Sequence, residues 1–318
     1  MFNNILVPLD RSSLAECVLP HVVAIAKAFE SQVALLHVMD SANLANQPRT
    51  VDPLDWQIRK AEAENYMHDL VLRLQTAGLP TERYILDGQA AEQIIELTRT
   101  NNVNLIILSS HGQSGLSGWN VSSVVQKIAL RACTSIMVVR AYQPATPELT
   151  GLHYRRLLIP LDGSQRAECV LPQAATLARA HQAAFVLAHI VRKPEMPRRT
   201  PHTREDMELA DQVVERNRTE AVEYLEQVKS RLPGDIQTRV LVSEHIFSAL
   251  HELVDQEKID LVLMSAHGYS GQTRWPYGSI VVSFVAYGTT PLLIVQDIPL
   301  DEIQPTPAEV AAKKYGRR

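Results

Sequence analysis

The chain has 318 residues, 46% of them hydrophobic, and a formal net charge of −4 at pH 7. This length suits about two domains, each with enough apolar residues for a core. The balance of charge excludes a strong electrostatic footprint for nucleic acid, and no apolar run has the length of a bilayer span. The three cysteines form no CxxC pair, which suits a reducing compartment, and the N-terminus carries no signal-peptide pattern. We therefore expect a cytoplasmic protein with no nucleic-acid and no membrane partner.

Apolar runs and amphipathic stretches alternate along the first half of the chain. The apolar runs predict strands at 5–9, 32–39, 81–86, 104–108 and 135–139. The stretches with helical spacing between them predict helices at 14–29, 53–76, 90–100 and 121–131. Pro20 lies within the first of these helices, where a proline kinks the helix or removes a hydrogen bond. Because strands that alternate with helices form parallel βαβ units, the pattern predicts an α/β fold.

The second half of the chain repeats the first. The matched segments, at offsets of 152 and then 156 residues, are 4–12 with 156–164, 15–20 with 167–172, and 111–112 with 267–268. Solenoid repeats are much shorter, so a period of this length indicates a duplicated whole domain. The predicted organisation is a first domain at 1–142, a linker at 143–152, a second domain at 153–296 and a C-terminal tail at 297–318.

A polar loop with glycines follows the fourth strand of each copy and leads into a helix. In the second copy the loop begins at Ser265, and Gly278 and Ser279 open the next helical segment. A helix N-terminus presents unpaired N–H groups and a partial positive charge, which suit an anion such as phosphate. Gly268 and Gly278 let the backbone approach a ligand with no Cβ in the way. An ordinary strand-to-helix connection has the same spacing and remains the alternative.

These features together resemble the universal stress protein family in both copies. The likeness is carried by the opening Ile5–Asp10, the Ala-Glu-x-x-Leu-Pro helix, the Leu-His-Val strand and the Ser-x-His-Gly loop. The resemblance implies two tandem domains related by a pseudo-two-fold axis. Each would be a five-stranded parallel sheet sandwiched by helices, of the Rossmann-like, adenine nucleotide α-hydrolase-like kind. It also implies a stress-response protein that binds ATP or AMP, with Mg²⁺ as the ion that would accompany ATP.

The ATP-binding members of that family share a phosphate motif of Gly-x-x-Gly, nine residues, then Gly followed by Ser or Thr. In the second copy the motif falls on Ser265, Gly268, Gly278 and Ser279. In the first copy it falls on Ser109, Gly112, Ser122 and Ser123. A serine in place of glycine adds a Cβ that clashes with phosphate oxygens, or strains a position that needs φ > 0. Since the first copy has lost two glycines and the second copy one, we expect tighter binding in the second domain.

The resemblance also implies which residues lie at the adenosine end of the site. An acidic residue after the first strand, Asp10 or Asp162, would accept from a ribose hydroxyl or from the adenine amino group. Capping of the following helix is the alternative role of each carboxylate. The backbone at the end of the second strand, at Val38 or Ile190, would face adenine. Such a site lies beyond the carboxyl ends of the parallel strands, where open α/β sheets bind ligands.

His111 and His267 precede the motif glycines and are the residues to weigh for catalysis. No nucleophile accompanies them in a Gly-x-Ser-x-Gly motif, which is absent. The P-loop and the Gly-x-Gly-x-x-Gly phosphate-binding motifs are absent as well. No zinc-finger or metalloprotease spacing is present either. We therefore name no catalytic or metal residue and expect each histidine to order its loop. The expected function is a nucleotide sensor or regulator, with a protein-interaction scaffold and a weak ATP hydrolase as the alternatives.

The fifth strands of the two copies, 136–139 and 292–295, are apolar throughout. An exposed edge of this kind invites pairing with another strand. In the family this strand mediates dimerisation, so we expect the two domains to pair through it, with a homodimer of the whole chain as a further partner. Trp119 and Trp275 occupy equivalent loop positions, and we expect them to pack within their loops. The basic stretch 191–206 is either an extended loop or a loop that folds over a bound anion.

Overall fold

A computed structural model describes residues 1–39, 53–113, 121–142, 148–194, 203–269 and 277–298. Trp119, Trp275 and residues 195–202 of the basic stretch 191–206 therefore lie outside the described residues, as does nearly all of the predicted C-terminal tail. None of the helices in the described part of the chain has the length and hydropathy of a transmembrane segment.

In the first copy, strands alternate with helices in the predicted order. The strands are β1 (Asn4–Pro8), β2 (Gln32–Met39), β3 (Thr81–Asp87), β4 (Leu105–Ser109) and β5 (Ser135–Val139). The helices are α1 (Leu19–Phe29), α2 (Pro53–Thr76), α3 (Ala90–Thr100) and α4 (Ser123–Arg131).

The second copy has the same sequence of elements. Its strands are β6 (Arg156–Pro160), β7 (Ala184–Arg192), β8 (Ile236–Ser243), β9 (Leu261–Ser265) and β10 (Leu292–Val295). Its helices are α5 (Leu171–His181), α6 (Arg204–Ser230), α7 (Ile246–Gln256) and α8 (Ser279–Tyr287).

All of these strands belong to one sheet in the order β3-β2-β1-β4-β5-β10-β9-β6-β7-β8. Neighbouring strands are parallel, except that β5 and β10 run antiparallel with Met137 opposite Leu293. Across the sheet, the strands of the second copy therefore follow the reverse of the first copy's order. A pseudo-two-fold axis between β5 and β10 produces this arrangement. The predicted α/β class, with two five-stranded parallel units, is confirmed.

The sheet has an apolar core on each face because successive side chains of a strand point to opposite sides. In β1, Ile5 and Val7 belong to the core under α1 and α2, whereas Leu6 belongs to the core under α3 and α4. The second copy follows the same rule, with Leu157 on the first face and Leu158 on the second. Helices α1, α2, α5 and α6 therefore cover one face, and α3, α4, α7 and α8 cover the other.

Pro20 does not kink α1, contrary to expectation. The helix begins at Leu19, which places the proline in the first turn, where its missing N–H has no intrahelical acceptor to lose. The residues before it form a separate 3-10 turn, Ala15–Val18. Pro172 is placed in the same way at the start of α5. The ring therefore costs neither helix a hydrogen bond.

Candidate functional site

A cavity of about 820 Å³ lies at the carboxyl ends of the strands of the second copy. Its walls come from the ends of β6, β7 and β9 and from the starts of α7 and α8. This is the edge of a parallel sheet at which α/β proteins bind ligands, because strand ends and helix N-termini converge there.

The predicted second-copy residues all line this cavity: Asp162, Ile190, Ser265, His267, Gly268, Gly278 and Ser279. Arg192, His245 and Phe247 also line it and were missed from the sequence. The sequence could have predicted Arg192 at the site, because residues two apart in a strand share a face and Ile190 was already predicted there. His245 and Phe247 precede and open α7, which follows β8, so finding them requires knowing that β8 lies beside β7.

Helix α8 begins in the cavity wall with no side chain capping it. Its N-cap is Gly278, whose φ is −71° and whose ψ is 165°, and no side chain bonds to the first turn within the described residues. The N–H of Gly278 donates to the carbonyl of Ala266 at 2.7 Å, which fixes the start of the helix against the end of β9. The first-turn N–H groups and the positive end of the helix are therefore available to an anion in the cavity.

The first copy has the same backbone arrangement with a different cap. Ser122 donates its N–H to the carbonyl of Ser110 at 2.7 Å, as Gly278 does to Ala266. However, the Ser122 hydroxyl accepts from the N–H of Val125 at 3.4 Å and so caps α4. A side chain thus occupies a first-turn N–H that the second copy leaves open.

Backbone strain does not distinguish the two copies at this position. The φ angle is −71° at Gly278 and −69° at Ser122, so the expectation that a serine here is strained by a need for φ > 0 is wrong. A Cβ on residue 278 would make an ordinary contact, 3.5 Å from the carbonyl oxygen of Ala266. The difference that remains is the hydroxyl cap itself.

Asp162 is fixed between two loops of the second copy. Its Oδ1 accepts from the N–H and the hydroxyl of Ser164 at 3.0 and 2.7 Å, and its Oδ2 accepts from the N–H of Tyr269 at 2.6 Å. The Ser164 hydroxyl in turn accepts from the N–H of Ala167 at 3.1 Å, where the turn before α5 begins. The carboxylate therefore supports that turn and holds the loop after β9, while still lining the cavity.

Each motif glycine after the histidine makes room for such an aspartate. A Cβ on Gly268 would lie 2.1 Å from Oδ2 of Asp162. In the first copy a Cβ on Gly112 would lie 1.8 Å from Oδ2 of Asp10, which accepts from the N–H of Gln113 at 2.6 Å. Contact with a carboxylate therefore explains this glycine in both copies, with no ligand needed.

The remaining first-copy residues follow the same layout. Ser122 and Ser123 form the start of α4, and Val38 lies in β2 next to its last residue. Ser109 ends β4, and its hydroxyl donates to the carbonyl of His111 at 2.6 Å.

His267 is buried beside an ion pair. Its Nδ1 lies 2.6 Å from Oδ1 of Asp297, and Oδ2 of Asp297 lies 3.2 Å from Nε of Arg166. These contacts tie the loop after β9 to the segment after β10 and to the turn before α5. The equivalent positions in the first copy hold Ala141 and Leu14, so that copy has no counterpart of this ion pair.

The cavity combines polar and apolar walls. Ser265 accepts a weak hydrogen bond from the thiol of Cys169, with the two atoms 3.4 Å apart, and burial raises the pKa of that thiol. The apolar wall includes Ile190 and Phe247, and the Phe247 ring packs edge-on against Phe284 with centroids 5.2 Å apart. Among the described residues, no group of three or more His, Cys, Asp or Glu side chains is arranged to hold a metal ion. The arrangement suits a ligand with an anionic end and an aromatic end.

The chain is similar to known proteins over both of its copies. The sequence profile of the universal stress protein family matches residues 1–140 and 153–296. Universal stress protein MJ0577 of Methanocaldococcus jannaschii is 26% identical over 155 residues, which cover 44% of this chain and 96% of that protein. Universal stress protein YxiE of Bacillus subtilis is 25% identical over 149 residues, which cover 44% of this chain and 100% of that protein.

A solved structure of a universal stress protein has the same fold as this chain. The crystal structure of a universal stress protein from Archaeoglobus fulgidus superposes with a TM-score of 0.66 at 15% identity, covering 94% of this chain and 100% of that chain. Together with the profile match to both copies, the repeated sheet and its reversed strand order show that the chain belongs to the universal stress protein family.

Proposed function

We propose that the second domain binds an adenine nucleotide, ATP or AMP, in the 820 Å³ cavity. The observation that carries this proposal is the uncapped start of α8, which opens onto the cavity beside Gly268. Phosphate oxygens would accept from the first-turn N–H groups and from the Ser279 hydroxyl. Mg²⁺ would enter with the phosphates of ATP.

The other end of the nucleotide would lie toward the ends of β6 and β7. Adenine would rest against Ile190 and Phe247, with the backbone at residue 190 facing its edge. Asp162 already accepts from Ser164 and Tyr269, so a ribose hydroxyl would donate to a remaining lone pair of this oriented carboxylate. Ser265 and His267, which also line the cavity, would lie between the two ends of the nucleotide.

The second domain should bind more tightly than the first. The hydroxyl of Ser122 caps α4, so a phosphate would have to displace it, whereas Gly278 offers no such competitor. Asp10, Val38, Gly112, Ser122 and Ser123 would form the weaker site.

The protein would act as a cytoplasmic stress-response sensor or regulator rather than as an enzyme. We assign the domains to 1–142 and 153–296, with a linker at 143–152 and a tail at 297–318. Pairing of β5 with β10 would join the two domains within one chain and leave a homodimer to form through another surface. The competing function, an interaction scaffold with degenerate sites, is favoured by the serines at 109, 122 and 265, where ATP-binding relatives have glycine.

Titration calorimetry of the full chain with ATP and with AMP tests this proposal. We expect one tight site per chain. Gly278→Val should abolish binding at this site, and the matched first-copy variant Ser122→Val should leave it unchanged. Mass spectrometry of small molecules released on denaturation should also identify an adenine nucleotide. If only Ser122→Val lost binding, the nucleotide site would lie in the first domain. No binding, with no nucleotide released, would favour the scaffold, and steady phosphate release by the wild type alone would favour the hydrolase.

A further inference from the structure

Helix α8 is attached at its N-terminal end to the first domain. The Tyr277 hydroxyl donates to the backbone carbonyl of Thr134 at 2.6 Å, and both residues are buried. Tyr277 immediately precedes the N-cap Gly278 and lines the cavity. Thr134 lies just before β5, so this hydrogen bond crosses from one domain to the other.

The C-terminal end of α8 is held by the first domain as well. Arg140, which follows β5, donates from Nη1 to the carbonyl of Val285 at 3.0 Å and from Nη2 to the carbonyl of Phe284 at 2.6 Å. The carbonyls of the last helical turn carry partial negative charge, which suits a guanidinium. The Phe284 carbonyl also accepts from the N–H of Gly288 at 2.9 Å. Burial lowers the Arg140 pKa only to about 10, so the side chain is charged at neutral pH.

Gly288 makes room for this arginine. It is the C-cap of α8, and a Cβ there would lie 3.0 Å from Nη2 of Arg140 and 2.6 Å from the carbonyl oxygen of Phe284. Its φ is −64°, so the glycine is explained by close approach rather than by backbone conformation. The equivalent C-cap of α4 is Ala132.

The pseudo-symmetry does not repeat the side chains of this attachment. In the pseudo-symmetric positions, the counterpart of Tyr277 is Val121, which has no donor, and the counterpart of Arg140 is Gln296, which has no charge. The Gln296 side-chain oxygen accepts from the N–H groups of Asp297 and Ile298 in its own segment. The two contacts that join α8 to the first domain therefore use side chains that the pseudo-symmetric positions do not repeat.

We propose that the first domain acts as the positioning partner of the second domain's nucleotide site, with Tyr277 and Arg140 as positioning residues that clamp α8 at its two ends. This inference rests on the proposed function, because α8 supplies the N–H groups for the phosphates. A nine-residue helix is marginal by itself, and a loose helix would present those groups correctly only part of the time. The clamp raises the binding-competent fraction and hence the apparent affinity.

Linkage makes the coupling reciprocal. If the clamp favours nucleotide binding, bound nucleotide favours the clamped arrangement by the same factor. The first domain would thus respond to nucleotide bound in the second domain, through Thr134 and Arg140 at the two ends of β5.

Deuterium exchange and ATP titration of the full chain test the clamp in four variants. Tyr277→Phe and Arg140→Leu remove the donors, and Arg140→Lys retains a cation for partial rescue. The matched control is Tyr154→Phe: the Tyr154 hydroxyl lies 2.7 Å from Nδ1 of His21, so it also bonds across the domains, but on the opposite face and to α1. We expect amides in 277–288 to exchange about fivefold faster in Tyr277→Phe, with ATP bound about three- to tenfold more weakly.

The control should change neither quantity, and Arg140→Lys should lie between Arg140→Leu and the wild type. Unchanged exchange in Tyr277→Phe and Arg140→Leu would overturn the clamp, and so would faster exchange with unchanged ATP affinity. Equal effects in Tyr154→Phe would overturn it too, since they would show general loosening of the domain contact. If the wild type binds no ATP, the proposed function fails, and the exchange of 277–288 still decides whether the first domain holds α8.

Discussion

Gly278→Ser should convert the second site into a copy of the first. Judging from Ser122, the new hydroxyl would accept from the N–H of Val281, the counterpart of Val125. The Cβ has room, at 3.5 Å from the carbonyl oxygen of Ala266, and φ is −71°, so the fold should tolerate it. Because glycine and serine caps differ by only a few tenths of a kcal/mol, we expect unfolding free energy to change by less than about 0.5 kcal/mol.

Nucleotide affinity should fall far more than stability. A phosphate that loses one first-turn N–H forfeits a hydrogen bond to a charged group, about 1.5–3 kcal/mol, which is about 10- to 150-fold in Kd. Calorimetric titration with ATP measures the change in Kd. Urea unfolding of the same preparation measures the change in unfolding free energy. The matched control, Ser122→Gly, uncaps α4 and should leave the Kd of the tight site unchanged. Wild-type affinity in Gly278→Ser would refute the argument that an open helix N-terminus makes the site.

Three further outcomes follow from contacts and burial. Gly268→Ala places a Cβ 2.1 Å from Oδ2 of Asp162, so it should destabilise the fold by about 1–3 kcal/mol in urea unfolding, and less in an Asp162→Ala background. Burial raises the pKa of Cys17 to about 12, so a thiol reagent at pH 8 should modify Cys17 only after guanidinium unfolds the chain. Burial lowers the pKa of His21 from 6.5 to about 4, so the unfolded chain binds more protons between these values. Stability present above pH 6.5 should therefore fall toward pH 4, and His21→Gln should flatten that part of the pH profile of unfolding midpoints.

Most helices and strands could be predicted from the sequence because each has its own pattern of apolar residues. The helix 53–76 and the strands 32–39 and 135–139 have the bounds that their periodicity predicted. Pro20 was misjudged because apolar spacing over 14–29 does not separate a 3-10 turn from the α-helix that follows it. The proline itself marks that boundary, since the first helical turn is where its ring is tolerated.

The site was only partly accessible, for a physical reason. Residues at strand ends, such as Asp162 and Gly268, could be placed together because the carboxyl ends of parallel strands meet at one edge. The contacts of Arg140 and Tyr277 depend on β10 lying beside β5, and no local pattern states which helix then approaches them. Asp297 was assigned to the C-terminal tail, yet its side chain is buried against His267. A lone acidic residue after a strand does not reveal its partner.

A crystal structure of the full chain grown with ATP tests the central claim most directly. The account predicts phosphate density in the second domain only, with oxygens within about 3 Å of the N–H groups at the start of α8 and the adenine ring against Ile190 and Phe247. Phosphates seated in the first domain, or a cavity that stays empty at saturating ATP while side chains turn into it, would contradict it.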